Sequence, residues 1–195
     1  LGLDFFGGSG YKSLHAIFCE LGIDKVFEGG YLRTEEDNFF HNIGFRVSKK
    51  KDGSGYEVVH DSVDASVPGV VRSANYENLL AEAPLGKMVF NVDPDADRFV
   101  VGQVLPKSEE KALDDLGISF IKIGKDRIFA ILSPNQFFLL LAENDRLISQ
   151  EEGTWNDTNP FDIHTYVSAL AWDEWADHHN IPVVRVPVGF KEIAA

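Results

Sequence analysis

Asp93, Asp95 and Asp97 stand at alternate positions in the run Asp93-Pro94-Asp95-Ala96-Asp97-Arg98, with a guanidinium directly behind them. Apolar residues flank the run, Met88-Val89-Phe90 before it and Phe99-Val100-Val101 after it. A strand that ends in a tight acidic loop would aim the three carboxylates at one point. Such a cluster repels itself unless a cation neutralises it, and all-oxygen ligands select a hard ion such as Mg²⁺. Arg98 adds nothing to a site that only holds a cation. Beside a metal it suits a phosphate, whose oxygens accept hydrogen bonds from guanidinium while they face the ion. The local reading is a Mg²⁺ site for a phosphorylated group.

Three other readings compete. An EF-hand loop also opens D-x-D-x-D, but its sixth and twelfth positions require glycine and glutamate, and here they hold Arg98 and Val104. A phosphatase with an aspartate nucleophile would use the Asp93–Asp95 pair after a strand, leaving Asp97 and Arg98 without a role. A solvated acidic turn between two strands fits the composition D-P-D-A-D, though not the arginine.

The elements needed to position such a loop are those of an α/β chain. Residues 1–6 read as a buried strand, 7–10 as its turn, and 11–21 as a helix with Leu14, Ile17, Phe18 and Leu21 at helical spacing and Gly22 as its C-cap. Cys19 is expected on the apolar side of that helix, buried and inert. Residues 25–27 are a candidate second strand. Residues 31–66 show no clear period, with 49–55 an exposed loop, and 75–83 read as a helix capped by Asn75. The strand 88–92 feeds the acidic loop. Residues 98–105 then return antiparallel, 107–116 form a charged excursion, and 120–123 and 127–132 form a hairpin about Gly124-Lys125-Asp126. Strand and helix alternating ahead of a loop at a strand's C-terminal end is the arrangement in which α/β sheets bind ligands.

A second segment starts near Ser133, which N-caps a helix from Pro134 to about Leu147. Its run Phe137-Phe138-Leu139-Leu140-Leu141 predicts burial on both sides. Residues 151–160 read as a polar loop, and 161–167 as a strand ending near His164 and Thr165. A helix capped by Ser168 then runs to about His179. Trp172 and Trp175 share one face of it and read as core rather than a sugar platform, and His178-His179 as a solvated helix end. Residues 183–186 form a last strand before Pro187-Val188-Gly189-Phe190-Lys191.

Composition excludes several functions. With 44% hydrophobic residues, including 15 phenylalanines, the chain can fill one large or two modest cores. The net charge of −13 argues against nucleic acid or an anionic membrane as partner. No apolar run is long enough for a membrane span, no signal-peptide pattern opens the chain, and one cysteine excludes an internal disulfide. A cytoplasmic location follows as an expectation. A phosphorylated substrate would need local cations, for which Arg98, Lys191 and a metal are the candidates.

The run D-P-D-A-D-R after an apolar strand resembles the magnesium loop of the α-D-phosphohexomutases, the phosphoglucomutase and phosphomannomutase superfamily. Pro187-Val188-Gly189-Phe190-Lys191 resembles the V-G-F-K sugar-facing turn of that family's third domain, and Leu3-Asp4-Phe5-Phe6-Gly7-Gly8-Ser9-Gly10 the start of its second. The family's T-A-S-H-N-P serine segment, its G-E-x-S-G sugar loop and the phosphate loop of its fourth domain have no counterpart here. The resemblance therefore implies a central fragment made of two consecutive mixed-sheet α/β domains. The second domain would span 1–132 and a partial third domain 133–195. It also implies phosphoryl movement between the 1- and 6-positions of a hexose phosphate, by way of a phosphoserine and a hexose bisphosphate. Asp93, Asp95 and Asp97 would hold Mg²⁺, Arg98 would hold the phosphoryl group, and Gly189, Lys191 and His164 would contact substrate. The remaining domains of the same enzyme are the implied partners, and the isolated chain is expected to be inactive. A non-catalytic domain is the residual alternative.

Overall fold

β1 (Gly2–Asp4) is buried along its whole length, flanked by β2 (Tyr31–Leu32) and β5 (Met88–Val92) and parallel to both. In the computed structural model, which describes residues 1–27, 30–60, 62–155 and 160–189, these strands belong to a six-stranded mixed sheet. β6 (Phe99–Pro106) runs antiparallel to β5 and to β8 (Arg127–Leu132), and β7 (Ser119–Ile123) pairs with β8 as the expected hairpin. The strand order is β2-β1-β5-β6-β8-β7, and the chain is α/β.

The sheet is held by three apolar clusters. In one, α1 (Gly10–Leu21) sets Tyr11, Leu14 and Phe18 against Leu3, Phe5, Phe27 and Val92. In the largest, α2 (Pro68–Ser73) and α3 (Tyr76–Leu79) bring Val70, Val71 and Tyr76 onto Val89, Val104, Ile121 and Phe129. In the third, Leu113 of α4 (Glu110–Asp115) packs on Ile128 and Ala130. Each fully buried aliphatic or phenyl side chain contributes about 1.5–3 kcal/mol of transfer free energy.

The chain divides into two compact units, Leu1–Pro134 and Asn135–Ala195. α5 (Pro134–Glu151) opens the second. There β9 (Asp162–Thr165) pairs in parallel with β10 (Val183–Val186), joined through α6 (Ala171–His179). Both indoles of α6 reach α5: Trp175 Nε1 donates to Glu143 at 2.9 Å and Trp172 Nε1 to Asn135 at 3.3 Å. Among the described residues no helix is long and apolar enough to cross a membrane.

Several local expectations are corrected. Residues 25–27 lie in a 3-10 turn (Asp24–Phe27) that stacks Phe27 on Phe18 at 5.3 Å, and the second strand is Tyr31–Leu32. The stretch 31–66 contains a hairpin, β3 (Phe45–Lys49) with β4 (Tyr56–His60), whose apolar residues Val47, Tyr56 and Val58 are exposed. The 75–83 helix shrinks to Tyr76–Leu79. Asn75 sits at φ 63° without capping it, and α2 precedes it. Cys19 is exposed, with its sulfur 3.8 Å from the His15 ring, because the buried stripe of α1 centres on Leu14 and Phe18. In α5, Phe138, Leu140 and Leu141 are exposed and the one buried side chain is Arg146, gripped by Glu143. Ser168 does not cap α6, which starts at Ala171; its hydroxyl lies 3.3 Å from that of Thr165. His179 is not a solvated end: its Nε2 is 3.2 Å from Glu143, and its ring packs on Trp175.

Candidate metal and phosphate site

The acidic loop leaves the C-terminal end of β5, beside the parallel end of β1. Two backbone bonds shape it. Asp93 N–H donates to the Arg98 carbonyl at 3.2 Å, and Ala96 N–H to the Asp93 carbonyl at 3.0 Å. Ala96 takes φ 62°, a left-handed conformation a non-glycine residue adopts only when held, and its methyl packs into the α1 cluster. The glycine-rich turn after β1 clasps the loop from the side. Ser9 donates to the Pro94 carbonyl from its backbone N–H at 2.9 Å and from its hydroxyl at 3.2 Å. A Cβ on Gly8 would lie 2.4 Å from Pro94 Cα, so only glycine permits this approach.

The loop brings Asp93, Asp95 and Asp97 together, with one carboxylate oxygen of each within 4.8 Å of the others. Asp93 is the most enclosed, at 10% side-chain exposure, and both its oxygens are engaged: Oδ1 accepts from Arg98 N–H at 3.0 Å and Oδ2 from Arg98 Nε at 2.9 Å. Asp97 lies 3.4 Å from the same Nε, and these carboxylates push the Arg98 pKa above its ordinary value. Asp95 is exposed and has no hydrogen-bond or ion-pair partner among the described residues. Three converging hard oxygens with one unpaired carboxylate at the outer position are a donor set that suits Mg²⁺. A polar pocket of about 330 Å³, lined by Gly7, Gly8, Ser9, Glu36, Asp37 and Asp95, opens on one side of the loop. A second, of about 180 Å³, meets Asp93 and Arg98 together with Asp64, Ser66 and Asn91.

Behind the loop lies a buried polar cluster that the sequence reading passed over. Asp4, fully buried at the end of β1, accepts from Tyr76 O–H at 2.6 Å and Phe6 N–H at 3.0 Å, and it pairs with Arg33. Tyr76 also meets Asn91, two residues before Asp93, and Asn91 donates to the Val100 carbonyl at 3.3 Å. Desolvation raises the Asp4 pKa against the lowering pull of Arg33, and it drives the Tyr76 phenol well above its ordinary value. The available signal was a lone carboxylate inside the apolar run Leu3-Asp4-Phe5-Phe6. A charge there requires buried partners.

The remaining predicted residues belong to the second unit. His164 is 7% exposed, with Nδ1 2.7 Å from Asp162 and Nε2 3.5 Å from Asp173, which in turn accepts from Arg185 Nε at 3.0 Å. Its ring is thus held between two carboxylates. Gly189 has φ 138°, a backbone region reserved for glycine. Lys191 lies outside the described residues.

No family model matches the chain, and no curated protein matches it. Among solved structures it resembles a protein from Thermus thermophilus provisionally named a phosphomannomutase. The TM-score is 0.53 at 17% identity, over 97% of this chain and 31% of that one. At that identity the likeness defines the fold, a phosphomutase-like α/β fold. The chain spans under a third of that protein's length.

Proposed function

We propose that this chain carries the metal loop of a Mg²⁺-dependent α-D-phosphohexomutase, which moves a phosphoryl group between the 1- and 6-positions of a hexose phosphate. The observation that carries the reading is the convergence of Asp93, Asp95 and Asp97 within 4.8 Å, with Arg98 across them, at a strand end of a phosphomutase-like fold. Asp93, Asp95 and Asp97 would hold the ion, which when bound neutralises charge spreading over the oxygens of a transferring phosphoryl group. Arg98 uses Nε to lock Asp93, leaving its Nη groups to grip phosphate oxygens from outside the loop. The Gly7–Gly10 turn fixes the loop's position against β1, so that the carboxylates need little rearrangement on binding. Gly189, Lys191 and His164 would serve the hexose phosphate and bisphosphate. The phosphoserine and sugar loops would come from the remaining domains.

The complete polypeptide, given a hexose 1-phosphate and a trace of the 1,6-bisphosphate, should form the 6-phosphate and lose that activity in EDTA. No interconversion by the magnesium-loaded complete polypeptide, with glucose, mannose or an amino sugar, would overturn the proposal. The phosphatase alternative, with Asp93 or Asp95 as nucleophile, gives Asp97 no role beside Arg98, although it lies 3.4 Å from Arg98 Nε. Hydrolysis of p-nitrophenyl phosphate by this chain alone, inhibited by fluoroberyllate bound to an aspartate as an acyl-phosphate analogue, would revive it.

A further inference from the structure

The register of the sheet gathers a set of apolar side chains next to the acidic loop. Leu3 lies opposite Phe90, and Val92 opposite Phe99. Directly paired residues share a face, as do residues two apart on one strand, so all four point to the side on which α1 docks. There α1 sets down Leu14 and Phe18, and Phe27 stacks on Phe18. These side chains do not fill the space they enclose. An apolar cavity of about 310 Å³ remains between α1, the turn at Phe27 and the sheet.

Four phenyl rings form much of its wall. Phe18 stacks on Phe27 at 5.3 Å, Phe27 meets Phe90 edge to face at 6.0 Å, and Phe90 meets Phe99 at 6.2 Å. Protein interiors leave few voids larger than a water molecule, and apolar ones take up apolar molecules in preference to water. Pockets of this size that hold small molecules have apolar and aromatic walls with a few polar groups that fix orientation. Here those groups are Asp97 and Arg98, whose side chains are 70% and 66% exposed and so mark the solvent side. They answer each other: Arg98 Nε lies 3.4 Å from Asp97 and 2.9 Å from Asp93. A ligand anion would face two carboxylates and a guanidinium already engaged, and a ligand cation would face that guanidinium. Neither charge finds an open partner to repay its lost water. An uncharged ring system needs none, and a hydroxyl on it can donate to the Asp97 carboxylate. We propose that this cavity binds an uncharged aromatic molecule of about two fused rings that carries one hydroxyl donor. Ala96, Asp97 and Arg98 belong to its wall, so such a ligand touches the acidic loop directly.

The test is titration of the chain with 2-naphthol, read by calorimetry and by the methyl resonances in NMR. Saturable shifts should appear at Leu3, Leu14, Val92 and Ala96, while Val47 and Val58 on the exposed hairpin stay unmoved. Leu14→Trp puts an indole into the space and should weaken binding at least about tenfold. Ile23→Trp, at a lining position that is 41% exposed, should do the same and serves where Leu14→Trp fails to fold, as judged by circular dichroism. Naphthalene-2-carboxylate, an anion on the same rings, should bind at least about tenfold more weakly than the naphthol. No saturable binding up to the solubility of the naphthol would overturn the proposal, as would shifts confined to the hairpin. Wild-type affinity in a folded Leu14→Trp or Ile23→Trp chain would do so too, and so would a carboxylate that binds as tightly as the naphthol.

Discussion

Replacing Asp95 with Asn separates a metal ligand from a structural carboxylate, because the two roles predict opposite signs. Asp95 has no partner among the described residues, and its oxygen lies within 4.8 Å of oxygens on both Asp93 and Asp97. At that separation two carboxylates repel by about 0.9 kcal/mol in water. Screening at physiological salt roughly halves this, so the two contacts together oppose folding by about 1 kcal/mol. Arg98 already answers Asp93 and Asp97, so the relief in Asp95→Asn is not offset by a lost ion pair. In EDTA the variant should match wild type or melt roughly 2–4 °C higher, the range that about 1 kcal/mol produces in a chain of this size. In calorimetry with Mg²⁺ it should bind at least about tenfold more weakly, a loss of about 1.4 kcal/mol or more, since a charged hard ligand has become a neutral one. Equal Mg²⁺ affinity in the two proteins would refute the site, and clear destabilisation in EDTA would refute the unpaired position assigned to Asp95.

The other predictions use neighbouring parts of the same geometry. Gly8→Ala should destabilise the chain by about 1–3 kcal/mol in denaturant unfolding and weaken Mg²⁺ binding, because its methyl meets Pro94 backbone at 2.4 Å. Tyr76→Phe should cost about 1–3 kcal/mol by stripping the buried Asp4 carboxylate of a hydroxyl donor at 2.6 Å. A Tyr76→Phe protein as stable as wild type would show that the bond contributes nothing. Glu143 has its pKa lowered from 4.5 to about 2, first by the hydrogen bond from Arg146 and then by that from Trp175. Its contribution should be present above pH 4.5 and disappear as pH falls toward about 2, and Glu143→Gln should remove that acid limb from the pH–stability profile. Under the proposed function, Arg98→Lys in the complete polypeptide should lower mutase turnover strongly yet leave Mg²⁺ affinity near wild type, since lysine keeps the charge but loses the two-pronged contact; wild-type turnover would displace Arg98 from the role proposed for it.

What could be read in advance was whatever depends on neighbours in sequence. The run Met88 to Val92 and the run from Phe99 predict strands because each is apolar enough to be buried, and both form. Gly124-Lys125-Asp126 predicts the hairpin of β7 and β8, since a turn's dihedrals depend on its own few residues. Alternate spacing put Asp93, Asp95 and Asp97 on one short loop, which alone limits how far apart their oxygens can lie. The same reasoning failed where a residue's partner is remote. Cys19 is exposed because α1 meets the sheet through Leu14 and Phe18, a rotation no helical period specifies. The β3–β4 hairpin has no such local marker, because its strands are five residues each and Val47, Tyr56 and Val58 are exposed among charged neighbours.

Local composition therefore determined the strand and the acidic loop with its three carboxylates, because chain length and residue type act over a few residues. Only the tertiary structure decided that Gly8 and Ser9 grip Pro94 from 85 positions away in sequence, as the Ser9 hydroxyl bond records. It alone paired Asp4 with Arg33 and Tyr76 behind the acidic loop, and left Asp95 as the unpaired carboxylate among the described residues while Arg98 engages Asp93 and Asp97. Those choices rest on which strands lie side by side in the sheet. That adjacency is set by the burial of many distant apolar side chains at once, and no short stretch of sequence encodes it.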